Sequence, residues 1–124
     1  MKKIIATDKA PAAIGPYSQA ICTDCLVFTS GQLPIDPTTG EMPADIEGQT
    51  EQSLKNVQAV LEAAGSDLSK AVKVTVFLQD IKDFAKVNEI YATFFDTDPP
   101  CRSAFQVAHL PKDALVEIEA IATK

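Results

Sequence analysis

The sequence predicts an α+β fold in which two helices pack on one face of a mixed β-sheet. The first observation behind this is the order of segments along the chain: strands, a helix, a strand, a second helix and further strands. The second is that two segments repeat apolar residues at steps of three and four, as amphipathic helices do. The third is the length of 124 residues, which predicts a single domain over residues 1–124.

Three short strands are predicted in the first third of the chain. They cover residues 3–6, 18–22 and 26–30. Thr23 and Asp24 lie at the tight turn between the second and the third. Gly31 then interrupts the pattern, as glycine does at a β-bulge or where a ligand approaches the backbone. The segment 34–40 combines proline, aspartate and glycine and is typical of a turn.

Two helices are predicted between residues 45 and 95. The first begins near Asp45 and ends before Gly65, because glycine commonly terminates a helix. The second follows Asp80 or Asp83, either of which could cap it. The apolar stripes of the two helices are Leu54, Val57, Leu61 and Ala64, and Phe84, Val87, Tyr91, Phe94 and Phe95.

The remaining strands are predicted at residues 72–78, 103–108 and 114–122. Asp98-Pro99-Pro100 separates the second helix from the strands that follow it, because proline disfavours helix in the preceding residue. Residues 110–113 form the turn between the last two strands. Since both helices lie on one face, the other face also needs cover, and we expect a second copy of the chain to provide it.

Charge and hydropathy narrow the function classes. The net charge is −6 and no lysine or arginine cluster is present, so nucleic acid is not the expected partner. No apolar run approaches the roughly 18 residues that span a bilayer. The N-terminus lacks the apolar stretch of a secretory signal, and we expect a cytoplasmic protein.

The three cysteines predict neither a disulfide framework nor a metal centre. Their odd number favours reduced thiols. Cys22 and Cys25 have the spacing of a redox or zinc motif, but only Cys101 and His109 remain to complete four ligands. In the sequence, His109 has no acidic residue directly beside it and no identifiable nucleophile, so a catalytic triad is not predicted. We expect no metal and no cofactor.

Arg102 is the only arginine among eleven basic residues. Lysine supplies every other positive charge, so the one guanidinium indicates a place where a planar, forked donor is required. Such a fork binds a carboxylate through two parallel hydrogen bonds. The alternative is an ordinary surface arginine.

The last strand carries two carboxylates. Side chains alternate across a strand, so Glu117 and Glu119 share one face. For Glu119 we favour a solvated sheet face. Arg102 begins the neighbouring predicted strand, and an arginine beside Glu117 would keep that carboxylate ionised. An ionised glutamate near a bound electrophile can deprotonate water.

Four further residues are candidates for a ligand pocket: Tyr17, Ser30, Gly31 and Asn88. A hydroxyl and a bare backbone amide could face a ligand at Ser30-Gly31, with a β-bulge as the alternative. Tyr17 is otherwise a core tyrosine whose hydroxyl is hydrogen-bonded. Asn88 interrupts an apolar helix stripe and needs a hydrogen-bond partner if it is buried, but is otherwise an exposed helix residue.

Three segments together resemble the reactive-intermediate deaminase (Rid) family: residues 15–20, residues 29–34, and residues 100–108 continuing into Leu110-Pro111 and 116–122. Asp83-Phe84 and Asn88 also match. The resemblance implies a chorismate-mutase-like fold and a homotrimer with sites at the subunit interfaces. It implies cofactor-free hydrolysis of 2-iminobutanoate and 2-iminopropanoate to 2-keto acids and ammonia, which protects enzymes that use pyridoxal phosphate.

The resemblance also implies roles by position. Arg102 matches the carboxylate-binding arginine and Glu117 the acid that positions water. Tyr17, Ser30, Gly31 and Asn88 match other pocket positions. The backbone amide of Ala104 is expected to help bind the carboxylate, at a position where many bacterial relatives carry cysteine. Residues 95–100 are shorter than in many bacterial relatives, which affects the expected rim of the pocket.

The sequence is also compatible with other functions. Some relatives have been described as ribonucleases or translation inhibitors, so an RNA-acting protein is one alternative. A non-catalytic regulator that binds keto acids in the same pocket is another. Chorismate mutase activity suits the charges poorly, because a dianionic substrate calls for several cations and the chain has one arginine.

Overall fold

The protein is described here by a computed structural model that covers residues 1–124. Its strands are β1 (Lys3–Ile5), β2 (Ala20–Cys22), β3 (Leu26–Thr29), β4 (Ala71–Leu78), β5 (Cys101–Gln106) and β6 (Val116–Thr123), and its helices are α1 (Ile46–Ala63) and α2 (Phe84–Phe94). The six strands form one sheet in the order β1-β2-β3-β6-β4-β5. Strands β4 and β5 are parallel and all other neighbours are antiparallel, so the sheet is mixed.

The helices and the core lie on one face of the sheet, which confirms the predicted α+β class. Val74, Val76 and Leu78 alternate along β4 and are fully buried, in the same core as Leu54 and Leu61 of α1. The burial follows from the twofold alternation of strand side chains. The intervening residues of β4 point to the opposite face and are only partly buried.

Helix α1 has the boundaries that its sequence predicts. The side chain of Asp45 accepts a hydrogen bond from the backbone amide of Gly48 and so caps the first turn. The helix ends at Ala63, and Gly65 follows with a φ of +83°, a conformation that glycine adopts without strain. The predicted apolar stripe is buried along its whole length.

The second helix follows Asp83, one of the two predicted positions, but neither Asp83 nor Asp80 caps it through a side-chain hydrogen bond. A short 3₁₀ turn, Ile81–Asp83, separates Asp80 from α2, and the Asp80 side chain caps that turn by accepting from Lys82. Asp83 precedes the helix but makes no side-chain capping bond. Helix α2 begins at Phe84, and its predicted stripe is buried at Val87, Tyr91 and Phe95 and partly buried at Phe84 and Phe94.

The predicted turn between Cys22 and Cys25 is present as the hairpin that joins β2 and β3. All three cysteines are free; Cys22 is buried, whereas Cys25 and Cys101 are exposed. No cluster of three histidine, cysteine or acidic side chains is arranged to hold a metal ion. Neither α1 nor α2 is both long and apolar enough to cross a bilayer.

The second face of the sheet is not covered by any helix, and we call it the open face. It includes Phe28 on β3, Phe77 on β4, Phe105 on β5, and Glu117, Glu119 and Ile121 on β6, together with polar residues such as Thr75 and Ser103. Phe28 and Phe105 are 39% and 45% exposed, which is high for phenylalanine. Phe77 and Phe105 contact each other edge to face, with ring centroids 5.4 Å apart. Exposed phenylalanines of this kind on a sheet face are typical of a contact between proteins.

Candidate active site

One group of predicted site residues borders a cavity where β3 ends and β6 begins. The cavity has a volume of about 720 Å³, and its lining includes Tyr17, Ser30, Gly31 and Glu117. The segment after β3 pairs with the start of β6 here, because Gln32 and Ile118 exchange two backbone hydrogen bonds of 2.7 and 3.2 Å. This pairing brings Gly31 beside Glu117.

The carboxylate of Glu117 lies directly over Gly31. A Cβ atom built on residue 31 would overlap Oε2 of Glu117 and would lie 2.9 Å from its Cδ. Any residue other than glycine at this position would therefore push the carboxylate away. The sequence predicted either a bulge or a close approach at Gly31, and the group that approaches is the side chain of Glu117.

Burial raises the pKa of the Glu117 carboxyl, and the neighbouring negative charge of Glu119 raises it further. Removal from water disfavours the charged form of a carboxylic acid. Phe77 lies directly opposite Glu117 on β4, on the same face of the sheet. A carboxylate with a raised pKa is a stronger base than an exposed one, and it is closer to the range in which general bases work.

Ser30 occupies the cavity wall with its hydroxyl proton already engaged. Its Oγ donates a hydrogen bond of 2.6 Å to the carbonyl oxygen of Ser18. A hydroxyl has one proton to donate, so toward a ligand the oxygen of Ser30 is left as an acceptor. Tyr17 stands on the same wall with about half of its surface exposed, so it is not the core tyrosine that was its alternative.

The loop that forms the outer wall of the cavity is held by Gln19. This side chain is buried, and its oxygen accepts a hydrogen bond of 2.7 Å from the backbone amide of Thr7. Its nitrogen donates to the carbonyl oxygens of Thr7, Ala10 and Pro11. Gln19 was not predicted to be a site residue. The signal that could have identified it is a glutamine next to a proline-rich loop.

A second group of predicted site residues lies at the far edge of the sheet. Arg102 on β5 donates a hydrogen bond of 2.8 Å from Nη1 to Oδ1 of Asn88 on α2. This bond satisfies the predicted need of Asn88 for a partner. Arg102 is partly buried and forms no ion pair with any carboxylate of the chain. Ala104 follows two residues later on the same side of β5 and packs against the core.

The expectation that Arg102 lies on a strand next to Glu117 is wrong. Strand β4 runs between β5 and β6, with Val74 paired to Arg102 and Phe77 paired to Glu117. Because Val74 and Phe77 point to opposite faces of the sheet, Arg102 and Glu117 do so as well. Within one chain, the neighbouring charge that acts on Glu117 is that of Glu119.

The chain matches the family model described as endoribonuclease L-PSP over residues 7–124. It is 52% identical to the 2-iminobutanoate/2-iminopropanoate deaminase of Escherichia coli, over 100% of this chain and 99% of the relative. It is 55% identical to a RutC family protein of Pyrococcus horikoshii, with 100% and 99% of the two chains covered. The crystal structure of E. coli TdcF with bound serine superposes with a TM-score of 0.96 at 52% identity, covering 98% of each chain.

This chain belongs to the Rid (endoribonuclease L-PSP) family. The resemblance that the sequence carried is thereby confirmed, and so is the fold of a mixed sheet with two helices. In this Rid-family chain, the predicted site residues form two separate groups. The first contains Tyr17, Ser30, Gly31 and Glu117 around the cavity, and the second contains Asn88, Arg102 and Ala104 at the β5 edge.

Two residues that touch Arg102 were not predicted to belong to a site. The guanidinium carbon of Arg102 lies 5.2 Å from the ring centroid of Phe84 and 4.8 Å from that of Tyr91. Both aromatic residues were assigned to the apolar stripe of the second helix, and Phe84 also matched the family pattern, but neither was given a role in the site. Their spacing relative to Asn88, four residues before it and three after it, was the signal that places all three on one helix face.

Proposed function

We propose that this protein hydrolyses 2-imino acids, 2-iminobutanoate and 2-iminopropanoate among them, to 2-keto acids and ammonia. The observation that carries the proposal is Arg102, a partly buried arginine with no carboxylate partner in a chain of net charge −6. An arginine in this situation is suited to a carboxylate supplied from outside the chain. The deaminase name of the 52% identical E. coli relative supports the same substrate class.

The proposal includes a homotrimer with sites between subunits. Arg102 and Glu117 point to opposite faces of one sheet, so a site that uses both groups is best built from two chains. The open face, with its exposed phenylalanines, and the unpaired edge of β5 both favour association. The number three comes from the Rid family resemblance.

In the proposed reaction, Arg102 binds the carboxylate of the imino acid and fixes its orientation. Glu117 accepts a proton from a water molecule, and the resulting hydroxide forms a bond to the imine carbon. The electron pair of the C=N bond moves to nitrogen, which takes up the proton held by Glu117, and the product is a carbinolamine. The carbinolamine hydroxyl then gives its proton to the Glu117 carboxylate, the C–N bond breaks as the keto group forms, and the leaving nitrogen takes up that proton and departs as ammonia. One water is consumed for each ammonia released.

The geometry suits these steps in two respects. The raised pKa of Glu117 makes its carboxylate a better base than an exposed glutamate. The guanidinium of Arg102 has five N–H donors, and one of them is used by Asn88, so a second edge is available for a carboxylate. Holding the substrate in one orientation supplies proximity to the water. Neither step calls for a metal or a cofactor.

In a cell, such an activity would remove imines released by dehydratases that act on serine and threonine. These imines damage enzymes that use pyridoxal phosphate, so their hydrolysis is protective. We place this function in the cytoplasm, where those dehydratases work. The proposal treats residues 1–124 as one deaminase domain, and the family match over residues 7–124 supports this.

The decisive experiment generates imine freshly and follows its fate. A threonine dehydratase is coupled to detection of 2-ketobutyrate, and free imine is trapped with semicarbazide. We expect the wild-type protein to lower semicarbazone formation and to accelerate release of keto acid. The Glu117→Gln variant is the matched control, because it keeps the size of the side chain and lacks the base. Equal trapping with and without wild-type protein would overturn the proposal.

The name of the matching family model favours a second candidate, an RNA-acting protein. The net charge and the lone arginine argue against it, because binding to phosphates depends on clusters of cations. Salt-dependent binding of RNA at low micromolar protein, followed by cleavage, would support this candidate. A non-catalytic regulator that binds keto acids would instead bind 2-ketobutyrate without lowering imine trapping.

A further inference from the structure

One face of α2 is directed at Arg102. Phe84, Asn88 and Tyr91 are separated by four and three residues, so they form a single row along the helix. Each contacts the same guanidinium: the rings lie 5.2 and 4.8 Å from its carbon, and the amide oxygen of Asn88 accepts a hydrogen bond of 2.8 Å. The amide makes a directional bond, and the two rings contribute faces.

We propose that Phe84 and Tyr91 are positioning residues that hold the guanidinium of Arg102 in the orientation that receives the substrate carboxylate. The inference rests on the proposed function of Arg102 and assigns two residues that act through it. Arginine has a long side chain with many rotamers, and ordering it at the moment of binding costs free energy. Contacts that order it in advance remove that cost from the binding step.

None of the three residues that contact the guanidinium is acidic, and there is a chemical reason for this. A glutamate or aspartate would also fix the arginine, but its negative charge would neutralise the guanidinium and repel the carboxylate of the substrate. An aromatic face attracts a cation through its quadrupole and carries no net charge. The amide oxygen of Asn88 accepts one N–H bond and is likewise neutral. Arg102 is therefore held in place while its full charge remains available.

Tyr91 gives independent support for a role of its ring. Its hydroxyl is buried and has no hydrogen-bond partner, and burial raises the pKa of this hydroxyl. A buried hydroxyl without a partner is unfavourable for folding. The hydroxyl of Tyr91 therefore contributes no stabilising hydrogen bond. The ring face beside Arg102 is the feature that remains, and tyrosine is among the residues that form cation–π contacts well.

The test uses leucine variants, which keep apolar volume and remove the ring. Phe84→Leu and Tyr91→Leu lose one ring each beside Arg102. Phe94→Leu is the matched control: like Phe84, it is a partly buried phenylalanine of α2 packed against the core, but it makes no contact with the guanidinium. Tyr91→Phe keeps the ring and removes only the orphan hydroxyl.

The first measurement exploits the single arginine of the chain. Selective ¹⁵N labelling of arginine gives one Nε–H signal, from Arg102. In the wild type we expect this signal to be displaced by the ring currents of the two aromatic residues. It should move toward the value of a free arginine in Phe84→Leu and Tyr91→Leu, and stay in place in Phe94→Leu. A signal that does not move in either ring variant would overturn the inference.

The second measurement is the steady-state kinetics of imine hydrolysis. Cation–π contacts of this kind contribute roughly 0.5–2 kcal/mol, so each ring variant should raise KM about 2- to 30-fold. The value of kcat should fall less, and Tyr91→Phe should retain most activity. In the Arg102→Lys background, removal of either ring should have little further effect. If Phe84→Leu and Phe94→Leu had equal KM values and lost similar thermal stability, the ring of Phe84 would contribute only to the stability of the fold, and the inference would be wrong.

The two measurements separate this inference from the proposed function. If the Nε–H signal responds as expected but the wild-type protein does not hydrolyse imines, the rings do hold Arg102 and the proposed reaction is wrong. If the protein hydrolyses imines and the signal is indifferent to both rings, the proposed reaction stands and the positioning role is wrong.

Discussion

Arg102 and Glu117 point to opposite faces of the same sheet, with β4 between their strands. The two residues were expected to work side by side. Their separation is a strong structural argument for assembly, since a second chain can bring the Arg102 edge of one sheet toward the Glu117 cavity of another. The open face with its exposed phenylalanines is the surface on which such a contact would form.

The first prediction concerns this assembly. Phe105→Asp places a charge on the open face, and we expect the variant to dissociate and to lose imine hydrolysis, because burying an unpaired carboxylate in an interface is unfavourable. Ile81→Asp is the matched control, since Ile81 is exposed to a similar extent, 46% against 45%, but lies outside the sheet. Light scattering and activity are measured together. A fully active monomer of the wild type at micromolar concentration would contradict the prediction.

The second prediction concerns the guanidinium of Arg102. Arg102→Lys keeps the charge but replaces a planar fork by a point donor, so bidentate binding of a carboxylate is lost. Hydrogen bonds to charged groups contribute about 1.5–3 kcal/mol, and we expect kcat/KM to fall roughly 10- to 100-fold. Steady-state kinetics with freshly generated imine measure the effect. Near-normal turnover by the lysine variant would show that charge alone is sufficient.

The third prediction concerns the contact between Gly31 and Glu117. Gly31→Ala introduces a Cβ atom where the carboxylate now lies, so Glu117 has to move. The backbone at Gly31 does not have a positive φ, so alanine adds no conformational strain of its own there. We expect turnover to fall about 100-fold, because general-base assistance is typically worth about 10²–10⁴-fold.

A double-mutant cycle supplies the control for this glycine. If Gly31→Ala acts only by displacing Glu117, adding it to Glu117→Gln should cost little more. Additive losses would mean that Gly31 contributes to the site independently, for example through its backbone amide.

The fourth prediction concerns pH. Burial and the charge of Glu119 both raise the pKa of Glu117, and the base has to be ionised, so kcat/KM should fall as the pH drops through this raised pKa. Glu119→Gln removes the neighbouring charge and should shift the acid limb of the profile to lower pH. Profiles of kcat/KM for the wild type and the variant measure the shift. An acid limb at the same pH in both proteins would show that the limb does not report Glu117.

The sequence was sufficient for the type and order of the helices and strands, because their periodicities are local. The spacing of Leu54, Val57 and Leu61 predicts a buried helix stripe, whichever element packs against it. The order of the strands in the sheet depends on contacts between distant parts of the chain. Strand β6 lies between β3 and β4, and no local pattern in the sequence of β6 specifies that position. For that reason, the neighbourhood of Arg102 was predicted incorrectly even though its own strand was predicted.

The same distinction applies to the site. The sequence was sufficient to predict Gly31, Ser30 and Tyr17 as site residues, because they lie close together along the chain or match a family pattern. The contact of Gly31 with Glu117 spans most of the chain and follows from the pairing of Gln32 with Ile118, which no local pattern reveals. Phe84 and Tyr91 fitted the core pattern, and only their spacing of four and three residues from Asn88 indicated that they share the helix face that contacts Arg102.

The fifth prediction tests the mechanism through Glu117. If this residue only supports the last strand, Glu117→Gln should be nearly silent, because the amide keeps the shape of the side chain. If it activates water, the variant loses the basic oxygen, and we expect turnover to fall about 10²–10⁴-fold. Binding of the keto-acid product should largely survive, because Arg102 is unchanged. It should tighten if the lost negative charge lay near the product carboxylate.

Thermal stability separates the two roles of Glu117. Its raised pKa means that the folded chain holds the proton more tightly than the unfolded chain does, so ionised Glu117 destabilises the fold above that pKa. This penalty decreases as the pH falls from the raised pKa of the folded chain toward the pKa of the unfolded chain, and it is absent below the latter. Glu117→Gln should therefore leave Tm at neutral pH unchanged or slightly raised, and any gain should vanish in acid. Glu119→Gln, on the same strand face, is the internal control and should retain most activity. Equal activities of the two variants would mean that the wrong carboxylate has been assigned, or that water needs no carboxylate in this site.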